Sequence, residues 1–156
     1  MQTFLPVADF AECARMLDNR RLWKQVLEAE CIYELNMGFG SPTSPWRNHP
    51  AVRMWKGHER ALASYICAMK CECRRRGIGN IGDIEPDTDE VEMPRWIGDE
   101  RLHTSHRANL LRKKPEHYGR FGWDEEPYHG YWWPVACKTA KAREAVDHWN
   151  QKVSPQ

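Results

Sequence analysis

The chain has 156 residues, of which 41% are hydrophobic and 29% are charged, and this composition excludes an intrinsically disordered protein. A chain of this length predicts a single domain spanning residues 1–156. The formal net charge is only +1, but the segment 83–92 holds six acidic residues and no basic one. The rest of the chain is therefore basic, and the near-neutral total does not exclude an anionic partner.

The first segment, residues 1–8, is predicted to be an extended arm because Pro6 discourages a helix before it. Asp9 is a good N-cap for a helix that begins at Phe10 and continues to about Asn36. The pair Asp18-Asn19 is a point where this helix can break or restart. A glycine- and proline-rich loop, residues 38–47, then follows.

The second half of the chain predicts further helices at about 49–76, 99–113 and 138–152. The helix 49–76 is the best supported, because its apolar residues recur with a period of 3.6. These residues are Val52, Trp55, Leu62, Ile66 and Met69. Segment 78–97 is predicted to be an acidic loop, and the aromatic segment 115–134 to be irregular. The fold class is therefore all-α, a domain of three to four helices.

The six cysteines contain no Cys-x-x-Cys pair, and the beginning of the sequence does not resemble a secretory leader. No stretch reaches the roughly 18 apolar residues of a membrane span. We therefore expect free thiols in a cytoplasmic protein that does not contact a membrane. No His, Cys or carboxylate set has metal-ligand spacing, and the sequence has no phosphate-binding glycine loop, so neither a metal nor a cofactor is predicted.

A first candidate site lies on the predicted helix 10–36. Arg20, Lys24 and Glu28 are each one helical turn apart, and Arg21 adds a further cation. Such a face can hold phosphates with its cations while the carboxylate does acid–base work. The alternative is a solvated face with an ordinary Lys24–Glu28 ion pair.

A second candidate site is the start of the helix 49–76, where Arg47, His49 and Arg53 cluster. Free N–H groups at a helix start, together with these side chains, form a favourable anion site. The alternative is a simple N-cap with charged surface residues nearby.

A third candidate site lies on the predicted helix 99–113, which carries many polar side chains. The candidate phosphate-binding residues are His103, His106, Arg107, Asn109, Arg112 and Lys113. His at i and i+3 can bind zinc, but the partners that zinc needs are missing. The alternative is that at least one histidine is a buried structural residue.

Three segments, in the same order along the chain, resemble the pyrimidine-dimer DNA glycosylases of the endonuclease V type. They are RRLWK, NHPAVRMWKGHERALASYICAMKCECRRRG and SHRANLLRKKPEHYGRFG, and the resemblance covers about residues 1–122. The sequence is more similar to the bacterial branch of that family than to its phage member. The resemblance implies an all-α enzyme that binds DNA and excises damaged bases.

In that family an N-terminal α-amine attacks the sugar of the damaged nucleotide, a Schiff base forms, and a glutamate assists strand cleavage. The bulky Gln2 predicts that Met1 is retained and supplies the amine here. By the RRLWK match, Arg21 occupies the place of the family's glutamate, and Arg20 and Lys24 match its phosphate-binding arginines. The carboxylate would then come from Glu28 or Glu30, which is not the family's arrangement.

The sequence leaves two functions open. One is a DNA glycosylase with lyase activity, with Met1 and Glu28 as candidate catalytic residues. The other is a non-catalytic protein that binds DNA, or sequesters a nucleotide or cyclic nucleotide as a phage protein would. Arg21 favours the second, because it adds a phosphate donor where the chemistry needs an acceptor.

Overall fold

The structure, a computed structural model, describes residues 1–84 and 89–154 of the chain. Over these residues it contains α-helices and two short 3-10 turns and no β-strand, which confirms the all-α prediction. The helices outnumber the three to four that were expected. They are α1 (Phe10–Met16), α2 (Asn19–Asn36), α3 (Pro50–Trp55), α4 (Glu59–Arg76), α5 (Glu100–Lys113), α6 (Pro115–Tyr118) and α7 (Ala140–Lys152), with 3-10 turns at Pro45–Asn48 and Gly119–Phe121.

The chain divides into two compact units. Unit 1 comprises Met1–Phe4 and Asp9–Pro94, and unit 2 comprises Leu5–Ala8 and Arg95–Gln156. A single domain over the whole chain stays a prediction. Within the described residues, none of the helices has the length and apolar character of a membrane span.

The predicted helix 10–36 is two helices, α1 and α2, separated at Leu17 and Asp18. Asp9 caps α1 as expected, its carboxylate accepting the backbone N–H of Glu12 at 2.7 Å. Asp18 stands at the N-cap position of α2, but its carboxylate pairs with the Arg21 guanidinium at 3.1 Å instead of capping the helix. The possible restart at Asp18-Asn19 is therefore where the break occurs.

The prediction of one continuous helix over 49–76 is wrong, because α3 ends at Trp55 and α4 begins only at Glu59. Gly57 has a φ of 83°, a left-handed conformation that a helix does not contain and that glycine adopts without strain. The apolar stripe nevertheless persists across the break, with Trp55 and Leu62 fully buried. The periodicity identified the core residues and missed the interruption.

In unit 2, α5 and α7 confirm the predicted helices, and Asp99 and Thr139 cap them through their side chains. The segment 115–134 is not wholly irregular, because α6 and a 3-10 turn form its beginning. In the acidic loop 78–97, the described residues have no regular helix or strand, and residues 85–88 lie outside the described part.

The C-terminal end of α4 is fastened to the end of α1 by Arg76. Its guanidinium donates to the carbonyl oxygens of Arg15 at 2.9 Å and Leu17 at 2.7 Å, which the helix end leaves without helical partners. Glu72, one turn earlier, accepts from Arg76 Nε at 2.7 Å and from Arg75. Hydrogen bonds from Arg75 and Arg76 lower the pKa of Glu72 to about 2 although its burial opposes this.

We expect Glu72→Gln to lower the free energy of unfolding at pH 7 by about 1.5–3 kcal/mol, the range for hydrogen bonds to charged groups. A carboxyl with a lowered pKa stabilises the fold above its unfolded pKa of roughly 4.3, and this contribution is lost as the pH falls toward 2. Urea titrations of both proteins should therefore differ at pH 7 and converge near pH 2. Glu34→Gln, at an exposed position of α2, is the control. An equal deficit at both pH values would contradict this role of the Glu72 charge.

Candidate functional site

Gln2, Thr3 and Phe4 are buried against α2, α3 and α4. The backbone N–H of Phe4 donates to Gln25 Oε1 at 2.7 Å, and Trp55 Nε1 donates to Thr3 Oγ1 at 2.9 Å. The Tyr65 hydroxyl lies 2.9 Å from both the Phe4 carbonyl oxygen and Gln25 Oε1. These contacts hold residues 2–4 against the helices, so the amino terminus has a fixed position in unit 1.

The arm brings the amino terminus to Glu28. The backbone N–H of Gln2 donates to Glu28 Oε2 at 3.0 Å. Three covalent bonds separate that nitrogen from the α-amine of Met1, so the amine lies within about 7 Å of the carboxylate. The Gln2 side chain is 5% exposed and turns back on the arm, where its Oε1 accepts the Thr3 N–H at 2.8 Å. Met1 itself is half-buried.

His49 stands at the same end of unit 1. It is the N-cap of α3, and its Nδ1 accepts the N–H of Ala51 at 3.1 Å, which assigns the ring proton to Nε2. Burial lowers the pKa of His49, the positive α-amine of Met1 lowers it further, and Glu28 opposes the shift. His49 is therefore an electrostatic neighbour of both the amine and the carboxylate.

The three cations of α2 have different surroundings. Arg21 is partly buried and paired with Asp18, whereas Arg20 is exposed. Lys24 Nζ lies 3.5 Å from Glu28 Oε1, and its side chain is 64% exposed. Arg20 and Lys24 can thus reach a phosphate in solution, and the predicted Lys24–Glu28 pair is present. Glu30 pairs with Lys70 at 2.5 Å and does not share the environment of Glu28.

The guanidinium of Arg47 is bound to backbone carbonyl oxygens, so it is not placed to bind an anion. Its guanidinium donates to the carbonyl oxygens of Leu35 at 3.0 Å, Ser41 at 2.8 Å and Phe39 at 3.2 Å. These bonds close the end of α2 and fix the loop that follows. Arg53 is half-buried in the last turn of α3.

Residues 1–85 match the protein family described as pyrimidine dimer DNA glycosylase, which is more than half of the chain. The chain belongs to the pyrimidine dimer DNA glycosylase family. No match was found among curated proteins or among solved structures. At the level of the family, the function is that of DNA repair glycosylases that act on pyrimidine dimers, and DNA is the expected substrate.

The match with the family includes the whole of the Met1, Glu28 and His49 cluster and ends before α5. The third resembling segment, SHRANLLRKKPEHYGRFG, lies beyond it. Among the described residues, no group of three or more His, Cys, Asp or Glu side chains is placed to hold a metal ion.

In unit 2, the two histidines of α5 bind one backbone segment. His106 Nδ1 accepts the Leu5 N–H at 2.8 Å. His103 Nε2 accepts the Gly98 N–H at 2.9 Å, so its Nδ1 donates to the Leu5 carbonyl at 2.8 Å. Both rings are buried, and burial is the main cause that lowers both pKa values, that of His106 strongly. Both imidazoles are thus neutral structural groups near pH 7.

The other polar residues of α5 fall into two groups. Asn109 is buried and bonds the carbonyls of Ser105 and Gly130, and Arg107 pairs with Glu100 and Glu125. A phosphate contact by His103, His106 or Asn109 would require them to leave buried positions, so we do not include them in the proposed site. The exposed last turn of α5 holds Arg112 and Lys113.

Two residues that contact the arm or His49 were not among the residues predicted from the sequence. Gln25 is fully buried on α2 between Leu22 and Ala29, and a polar residue on the apolar face of a helix is a signal that was available. Trp46 is 46% exposed on the 3-10 turn before α3, with its ring 5.7 Å from the His49 ring. Nothing in the spacing of the sequence distinguishes it from the buried tryptophans.

The lowered pKa values of His103 and His106 predict a loss of stability in mild acid. The unfolded chain takes up protons at these rings near pH 6.5 while the native protein does not, so the free energy of unfolding should fall as the pH drops below about 7. Urea denaturation between pH 7.5 and 5.5 measures this dependence.

The double variant His103→Asn, His106→Asn carries no imidazole at these positions, so it should show a weaker pH dependence although it is less stable. NMR titration of the two rings gives the direct check. A pKa at or above 6.5 for both would contradict the assignment.

Proposed function

We propose that this protein is a DNA glycosylase with lyase activity, in which the α-amine of Met1 is the nucleophile and Glu28 the acid–base group. The observation that carries the proposal is the hydrogen bond from the Gln2 N–H to Glu28 Oε2, which fixes the amino terminus beside a carboxylate. The proposal extends the family-level function to named residues of this chain.

The chemistry follows from the two groups. The amine lone pair attacks C1′ of the damaged nucleotide, the bond from C1′ to the base breaks, and the base leaves with the electron pair and takes up a proton. Loss of a proton from the amine and opening of the sugar ring at the C1′–O4′ bond give a Schiff base. Glu28 can accept the amine proton and return one to O4′. Glu28, again a carboxylate, can then accept a C2′ proton, and the C3′–O bond breaks so that the 3′ phosphate leaves with the electron pair and the strand is cut.

We assign phosphate binding in unit 1 to Arg20 and Lys24, the exposed cations of α2, with His49 at the start of α3 and Arg53 in its last turn. Arg112 and Lys113 are proposed as further phosphate contacts of unit 2. Guanidinium and ammonium groups at the surface gain affinity by displacing counterions from DNA, and this gain depends on salt. Arg47 supports the site through its loop instead of binding phosphate.

The second candidate is a protein that binds DNA or a nucleotide without cutting it. Arg21 favoured this candidate because it adds a phosphate donor. In the structure, however, the guanidinium of Arg21 is paired with Asp18. Glu28 lies beside the amino terminus, so it can serve as the carboxylate of the enzyme although Arg21 stands at the place of the family's glutamate. The enzyme is therefore the function that the geometry supports better.

The first experiment is borohydride trapping on ultraviolet-irradiated duplex DNA. The wild-type protein, with an intact mass that confirms Met1 as its first residue, should form a covalent adduct and nick the strand. Glu28→Gln should slow nicking by about 10²–10⁴-fold, as is typical for removal of an acid–base group. Glu30→Gln is the matched control, since its carboxylate pairs with Lys70, and it should remain active.

An N-terminal extension of a few residues removes the α-amine from Glu28 and should abolish the adduct while DNA binding persists. Absence of an adduct and of nicking with the wild-type protein would overturn the enzyme proposal. If the wild-type protein then bound DNA or a nucleotide, the second candidate would gain support.

We expect Arg20→Ala to weaken binding to duplex DNA and to make its salt dependence shallower by about one unit of the log–log slope. Arg15→Ala, at an exposed position of α1, is the control and should change the slope less. Fluorescence anisotropy between 50 and 200 mM salt measures both. An Arg20→Ala protein with the wild-type affinity and slope would show that this face does not bind DNA.

A further inference from the structure

The segment between α2 and α3 exposes large apolar side chains. Phe39 is 63% exposed, Met37 is 47% exposed and Trp46 is 46% exposed. Of the tryptophans in the described part of the chain, only Trp46 is among the exposed large hydrophobic side chains. An indole with half of its surface in water loses the free energy that burial would give it, so a contact with a partner is the physical explanation to test.

This segment is held in place by Arg47. Besides its bonds to Leu35 and Ser41, the guanidinium donates to the carbonyls of Phe39 at 3.2 Å and Gly40 at 3.3 Å. Arg47 is the next residue after Trp46, so the same side chain fixes the turn that carries the indole. Trp46 is therefore presented on a preorganised support, which reduces the entropy that a contact would cost.

Trp46 is also adjacent to the proposed site. Its ring centroid is 5.7 Å from that of His49, and the Met1 amine and Glu28 both act electrostatically on His49. The exposed cations of α2, Arg20 and Lys24, belong to the same unit. An aromatic face next to His49, in the unit that also holds the candidate nucleophile and these cations, suits a nucleic acid better than an apolar protein surface.

We propose that Trp46 is a stacking platform for a DNA base that leaves the helical stack when the damaged nucleotide reaches Met1. This inference rests on the proposed function. An enzyme that attacks C1′ needs its target nucleotide out of the duplex, which costs a few kcal/mol of stacking and pairing. An indole replaces the lost stacking for any base because every base has a π-face. The ligand is thus a planar base of the substrate strand or its complement.

The test uses Trp46→Leu, which keeps apolar bulk without the π-face, and Trp46→Phe, which keeps an aromatic ring. The substrate is a duplex in which 2-aminopurine flanks or opposes the lesion, and its fluorescence reports stacking. Trp46→Leu should lose the stacking-dependent quenching and raise KM by about 5–100-fold, the range for one base–aromatic stack. Trp46→Phe should restore most of the quenching. In both variants, kcat and the trapped fraction at saturation should stay within about twofold of wild type.

Met93→Ala is the matched control, because Met93 is 45% exposed in the same unit, and it should behave as wild type. If the wild-type protein traps DNA but Trp46→Leu leaves KM and the fluorescence unchanged, the stacking platform is overturned while the enzyme stands. If the wild-type protein traps nothing, the enzyme itself fails, and the platform fails with it. A change in the elution volume of DNA-free Trp46→Leu, with KM unchanged, would instead assign Trp46 to an interface between two copies of the chain.

Discussion

The proposed site depends on the pairing of the first residues of the chain with one face of α2. Backbone N–H groups of residues two apart in an extended segment point the same way, and side chains three apart on a helix share a face. Gln2 and Phe4 meet Glu28 and Gln25 in this register. The pairing satisfies two backbone donors that would otherwise be buried without partners, and it fixes the amino terminus beside a carboxylate.

The same register separates the two carboxylates that the sequence left open. Glu28 continues the face that starts at Gln25, whereas Glu30 points away and pairs with Lys70. Tyr65 and Trp55 hold the arm from α4 and α3, and burial raises the pKa of Tyr65 well above its ordinary value, so its hydroxyl stays a donor. The proposed catalytic geometry is thus built from core side chains and not from a flexible loop.

Periodicity and capping predicted much of the fold. The Asp9 cap, the apolar stripe through Trp55 and Leu62, and the helices of unit 2 all followed from local signals. The break at Gly57 did not, because the stripe continues across it and a glycine in a helical pattern is often tolerated. Glu28 was identified as a candidate from its spacing, but its partner, the Gln2 N–H, lies 26 residues away and no local pattern indicates it.

A count of basic residues overestimates the number of cations that are available to bind DNA, and three arginines show why. Arg47, Arg76 and Arg107 each donate to backbone carbonyls of their own unit. A guanidinium has five donors in a planar fork, so it closes helix ends and loops as readily as it binds phosphate. Whether an arginine binds backbone carbonyls or a phosphate depends on the tertiary fold. The local sequence around the arginine does not reveal this.

In the proposed mechanism the arm presents the Met1 α-amine to the substrate. Mass spectrometry of the DNA-linked peptide after borohydride reduction tests it most directly, because it identifies the nitrogen that formed the Schiff base. We expect the adduct to map to the α-nitrogen of Met1. An adduct on the ε-nitrogen of Lys24, whose ammonium lies 3.5 Å from Glu28, would contradict it.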